Sequence, residues 1–130
     1  MIHLQSNQRL YISEDLRGYA KKLKGEGTIV NAVDFLQLGF ARAVNEELDP
    51  AEDFSRHELT DIYTLGSAQI VLEATAQWYA RESGFGKLRN SSELLRFICN
   101  LGISGGRVLH ENWNVRSKSQ IRQHIIEMSK

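Results

Sequence analysis

From Leu16 onward, apolar residues return at helical spacing. Leu16, Tyr19, Ala20 and Leu23 share one face, and Lys21, Lys22 and Lys24 lie around the polar side. Ser13 precedes this run as an N-cap, and Glu14 and Asp15 fill the first turn, where the helix dipole favours acids. Gly25 and Gly27 end it. Thr28 or Asn31 caps the next helix, "NAVDFLQLGFARAV", which is apolar nearly all round. Such a helix, here 31–46, is either central in a core or lies at a subunit interface. Gly39 is costly inside it, by about 1 kcal/mol, and points to close approach of another helix.

The pattern changes after Val44. "NEELDPAEDFSRHELTD" is a polar, acidic connector holding Pro50, the one proline, and Phe54 and Leu59 are the side chains able to pin it to the body. Gly66 and Ser67 open "SAQIVLEATAQWYARES", in which Ile70, Val71, Ala74 and Trp78, with Leu72, form the predicted inward stripe. "GFGKLRN" is a loop. Ser91 or Ser92 caps "SSELLRFICNLGISGGRVLHENW", with Leu94, Leu95, Ile98, Leu101 and Val108 apolar. Gly102, Gly105 and Gly106 weaken its second half and predict a kink or break there. Ile121, His124, Ile125 and Met128 give the tail a short amphipathic helix that docks on the body or on a partner.

A length of 130 residues fits a single domain, 1–130, with a real core. The helical spacing and the scarcity of proline predict an all-α fold: a compact helical domain of four to five helices, with at most one short strand near the N-terminus. No apolar run reaches membrane-span length, and the start lacks the apolar stretch of a signal peptide. Cys99 has no partner for an internal disulfide and reads as a buried small residue. These features predict a cytoplasmic protein with no membrane association.

The formal net charge is zero, but its distribution is uneven. Residues 45–62 carry seven acids against one base, net −6, and residues 83–130 carry eight bases against three acids, net +5. A basic face can meet phosphate while the acidic connector lies elsewhere, or the arginines can pair with the connector and quench the field.

The familiar catalytic arrangements are missing from the sequence. His57-Glu58 and His110-Glu111 are not followed by a second histidine four residues on, so no zinc-protease helix is formed. The four histidines and Cys99 have no metal-ligand spacing. "GFGK" is too short between its glycines for a phosphate loop, and "GISGG" lies inside a helical pattern rather than after a strand. On one helix Cys99 and His110 would stand about 16 Å apart, too far for a nucleophile–base pair. Neither a cofactor nor a metal is expected. A basic stripe is present instead: Arg96 and Arg107 project within about 20° of each other on a straight helix. Asn100 and His110 lie near the same side, Lys87 and Arg89 precede the helix, and Arg116, Lys118 and Arg122 follow it. With no polar groove-filling element evident, these cations suit backbone contact rather than base readout.

Two resemblances meet in this chain. "RLYIS", "EDLRGYAKKLKG" and "NAVDFLQLGFARAV" follow one another as the ribbon and two helices of ribbon-helix-helix DNA-binding units, over about a third of the chain. That resemblance would place Arg9, Tyr11 and Ser13 in a DNA groove. A longer stretch, roughly residues 8–112, resembles the DndE family of DNA phosphorothioation systems. It is carried by the order "LYISEDLRGYAKKLKGEGTIVNAVDFLQLGFARAVNEE", acidic linker, "ELTDIYTLG", "AQIVLEATAQWYARESG" and "LLRFICNLGISGG". This resemblance implies a helical protein that self-associates and binds DNA, with nicked duplex favoured. It also implies work beside a sulfur-activating enzyme and an ATPase, and it places Lys21, Lys22 and Lys24 at the family's basic first helix.

The expectation is a non-catalytic DNA-binding subunit of a modification or defence complex. Lys21, Lys22, Lys24, Arg96 and Arg107 are its phosphate contacts, and other complex subunits and further copies of itself are its partners. Two alternatives remain: a helical protein-interaction or immunity subunit with no DNA contact, and a ribbon-helix-helix regulator.

Overall fold

The computed structural model describes residues 1–52, 56–114 and 116–128. The order of elements is β1 (Arg9–Ile12), α1 (Glu14–Gly25), α2 (Ala32–Asn45), β2 (His57–Asp61), a 3-10 turn (Ile62–Leu65), α3 (Ala68–Glu82), α4 (Ser91–Trp113) and α5 (Lys118–Met128). The fold is helical, with one small antiparallel sheet in which Arg9 faces Asp61 and Ile12 faces His57, and the register shifts between Leu10 and Tyr11. No helix among the described residues is long and apolar enough to cross a membrane.

The body is built on α2 against α4. Phe35, Leu36, Phe40 and Ala43 of α2 and Leu94, Ile98, Leu101, Ile103 and Leu109 of α4 are all buried. Each large side chain of this kind contributes roughly 1.5–3 kcal/mol by leaving water. Glycines set the distance between the two backbones. A Cβ added at Gly105 would collide with the Gly39 carbonyl oxygen, and one at Gly39 would collide with the Gly102 carbonyl oxygen. Gly106 lies under Leu16 and Phe35, so α1 closes on the same spot. These glycines do not break the helix: α4 is continuous for 23 residues. Its helix loses backbone entropy at Gly102, Gly105 and Gly106 and regains the cost through close packing with α2. Of the two roles open to helix 31–46, the core is the one observed.

Some local expectations hold and others are corrected. Asn90, not Ser91 or Ser92, caps α4, its side chain accepting from the Glu93 backbone N–H at 3.0 Å. Asn31 begins α2, its own N–H donating to Asp34 at 2.9 Å. The end of the connector is strand β2, hidden from a periodicity reading because "HELTD" carries two acids and little β-branching. Leu59 packs on the core as expected, whereas Phe54 lies outside the described residues.

The largest reversal is in α3. Its inward face is Leu72, Glu73, Ala76, Tyr79 and Ala80. Ile70, Val71 and Trp78 of the predicted stripe face solvent. The helix is apolar on two sides, and in the sequence Glu73 marks the side that in fact faces inward as if it were the outer one. It is buried because the N-terminal segment satisfies it: His3 Nδ1 lies 2.9 Å from one carboxylate oxygen, and the Leu4 N–H and the Gln69 amide donate to the other at 2.6 and 3.1 Å. Burial pushes the Glu73 carboxyl up, but these hydrogen bonds prevail and hold it below its ordinary value.

Glycine substitutions separate packing from propensity. Gly105→Ala should destabilise the protein by at least ~1–3 kcal/mol, since the backbone of α2 stands where the methyl would go. Gly18→Ala, on the open side of α1, should stabilise it by ~1 kcal/mol. Urea midpoints of the two variants check both signs.

Candidate nucleic-acid interface

Leu16, Tyr19, Ala20 and Leu23 anchor α1 and so turn its lysines to solvent. At about 100° per residue, Lys21 points away from the core, with Lys24 and Lys22 on opposite flanks. All three are exposed, and none forms an ion pair among the described residues. They stand near the C-terminal end of α1, where the helix dipole favours cations.

Helix α5 brings two more cations to this end. Arg122 donates to the Gly27 carbonyl at 3.0 Å, and the Lys118 amine lies beside the same glycine, whose φ is +73°. The sequence places these two nearly a hundred residues from α1, and only the docking of α5 brings them there. That docking rests on buried Ile121 and on Trp113, whose indole N–H donates to His124 Nδ1 at 2.6 Å. Burial, followed by Arg116 and Arg42, lowers the His124 pKa from its usual 6.5, against an opposing effect of Glu127. Lys21, Lys22, Lys24, Lys118 and Arg122 therefore belong to one end of the molecule, with Glu26 the acid of the intervening turn.

The rest of the predicted stripe is divided. Arg107 is exposed but forms an ion pair with Asp15 at the start of α1, Nε to Oδ2 3.7 Å. Burial acts to raise the Asp15 carboxyl, but the Ser13 hydroxyl and Arg107 bring it below its ordinary value. Arg96 lies about 21 Å along α4 from the His110 ring, which stacks on Tyr19 with centroids 4.0 Å apart. Arg96 lines a different feature, an open cleft of ≈ 740 Å³ shared with Arg56, Phe85 and Asn100. There the Arg56 guanidinium sits 5.1 Å over the Tyr11 ring, and the Tyr11 hydroxyl donates to Asn100 at 3.1 Å. Burial, above all, pushes the Tyr11 phenol up to about 12. Asn100 lines that cleft beside Arg96 and also holds Tyr11, while the His110 ring is engaged in packing on Tyr19. Arg89 is paired with Glu93 at 3.1 Å.

The acidic connector is paired in part, with other partners. Arg9 reaches Glu58 and Asp61 at 3.5 and 3.6 Å, and Arg42 reaches Glu46 at 3.0 Å. Tyr11 and Ser13, which a ribbon-helix-helix arrangement would insert into DNA, are buried here, and β1 pairs with β2 of the same chain. Cys99 is fully buried, its thiol pushed up to about 12 by burial, so it stays protonated at neutral pH. Among the described residues no group of His, Cys, Asp and Glu side chains is placed to hold a metal ion.

No protein-family model matches this chain, and neither a curated protein nor a solved structure matches it.

The Trp113–His124 bond makes the docking of α5 sensitive to pH. His124 accepts the indole hydrogen only while Nδ1 is unprotonated. Its folded pKa lies below the unfolded value, so the unfolded chain takes up the proton first. Its contribution to stability is full above pH 6.5 and declines as pH falls below that value. An NMR titration should place the His124 ring below 6.5, and His124→Phe should remove this part of the acid-side loss of stability.

Proposed function

We propose that this protein is a non-catalytic DNA-binding subunit of a DNA modification or defence complex, of the phosphorothioation type that its sequence resembles, and that it grips the phosphate backbone. The observation that carries this reading is the gathering of Lys21, Lys22 and Lys24 with Lys118 and Arg122 around the end of α1. The screening length near physiological salt is about 8 Å, so a local cluster of cations acts on phosphate whatever the net charge of the whole chain. Arg107, tied to Asp15, fixes the position of α1 more than it supplies free charge, and Arg96 lines a separate cleft. The small sheet buries three of the four β1 side chains, so the reading favours backbone and shape over base sequence.

A second reading, a protein-interaction subunit with no DNA contact, is favoured by one observation: the exposed apolar side of α3. Salt dependence distinguishes the two. Each neutralised phosphate of duplex DNA gives a slope of roughly −0.9 in log K against log salt, so five contacts give roughly −4 to −5. Fluorescence anisotropy with nicked duplex should show such a slope, and Lys21/Lys22/Lys24→Ala should weaken binding and make it shallower by roughly 3. No binding at low salt to nicked, intact or single-stranded DNA would favour the second reading.

A further inference from the structure

The open cleft of ≈ 740 Å³ beside Arg96 collects polar groups that the fold leaves unpaired. One wall is α4, where Arg96 and Asn100 stand about one turn apart, roughly 6 Å along the axis. The other wall is the start of the connector, with Asp49, Glu52 and Arg56. Behind them lies buried Tyr11, which carries the Arg56 guanidinium 5.1 Å over its ring and donates to the Asn100 side-chain carbonyl at 3.1 Å. The charges of Arg56 and Arg96 both act on the Tyr11 phenol, so the two guanidiniums converge. The walls are pinned to each other in advance. The Ser104 hydroxyl donates to the Asp49 carbonyl at 2.6 Å, and the Ala51 N–H donates to the Asn100 carbonyl at 3.0 Å.

Two cations brought together repel each other unless an anion joins them. Neither Arg56 nor Arg96 forms an ion pair among the described residues, and neither do Asp49 and Glu52 on the same cleft. The amide nitrogen of Asn100 likewise has no acceptor among the described residues. Phe85 adds a ring that is 41% exposed at the cleft and braced from behind by Phe97, centroids 5.6 Å apart. Convergent polar groups around a preformed cleft with one aromatic wall are the usual makings of a small-molecule site.

We propose that this cleft binds a nucleoside monophosphate, with guanine the preferred base. The phosphate lies between the Arg56 and Arg96 guanidiniums, and the Asn100 amide donates to a further phosphate oxygen. The base lies against the Phe85 ring. Its donor edge meets the Asp49 and Glu52 carboxylates, which accept hydrogen bonds and cannot donate them. Guanine presents two adjacent donors, a ring N–H and an amino group, and so suits a carboxylate with both oxygens. Adenine and cytosine present an amino group alone. Uracil presents one N–H between two carbonyls, which a carboxylate repels. An anion without donors would leave the two acids unmet, and a peptide of mixed charge makes no particular use of a flat aromatic wall. Binding here does not depend on the cations of α1 and α5, which are not part of the cleft.

Isothermal titration calorimetry of the full chain with guanosine monophosphate tests the proposal. Uridine monophosphate, guanosine and a short peptide of alternating glutamate and lysine serve as comparisons. Guanosine monophosphate should bind one to one, with guanosine and uridine monophosphate each weaker by about tenfold or more. Arg96→Gln should weaken it by about tenfold or more, and Asp49→Asn with Glu52→Gln should erase the preference for guanine over uracil. Circular-dichroism melts should show that these exposed substitutions leave the fold intact. Lys21/Lys22/Lys24→Ala should leave nucleotide binding unchanged, which separates this site from the DNA contact. No binding of guanosine monophosphate at millimolar concentration would overturn the proposal. So would equal binding of the two nucleotides, binding of the peptide alone, or loss of binding in the lysine variant with none in Arg96→Gln.

Discussion

The approach of α2 to α4 is the constraint on which the rest of this structure depends. Two backbones meet where Gly39 lies between Gly102 and Gly105, closer than any side chain permits. The other elements are hung on α4 around that crossing. Gly106 and His110 receive α1 through Leu16 and Tyr19, Asn100 receives β1 through Tyr11, and Trp113 receives α5 through His124. The connector returns over the same helix, with the Ala51 N–H donating to the Asn100 carbonyl and the Ser104 hydroxyl to that of Asp49. Three glycines that look like a weak point in an isolated helix are the reason its partner can seat, because packing rather than propensity supplies most helical stability in a folded chain.

Two of the open surfaces differ in kind. On α3 the second apolar side, with Ile70, Val71 and Trp78, faces solvent beside the groove that α3 forms with α2. Around Gly27, α1 and α5 gather their cations, and that surface suits a polyanion.

How much of this was legible in the sequence follows from which forces are local. The 3.6-residue spacing located the helices, and Gly39 correctly announced a close neighbour, because periodicity and glycine cost are properties of short segments. Strand β2 was not visible, since "HELTD" becomes a strand only by pairing with β1 more than forty residues away. The facing of α3 was read backwards. Ile70, Val71 and Trp78 made the more conspicuous stripe, and nothing local shows that Glu73 will be satisfied by His3 and Leu4 some seventy residues distant. The three lysines of α1 were correctly assigned to its polar side, because their own helix fixes their direction. The expected set of phosphate contacts joined them to Arg96, which lines a separate cleft, whereas the chain places Lys118 and Arg122 near their end of α1 through the docking of α5. In these three cases a contact distant in sequence decided the outcome.

Hydrogen–deuterium exchange of the wild-type chain, with and without a nicked duplex at low salt, tests the central functional claim most directly. Added protection confined to the end of α1, the 25–27 turn and the start of α5 is the expected result. Protection on α3 with none on α1, or no change anywhere along the chain, would contradict DNA contact through this end of the molecule.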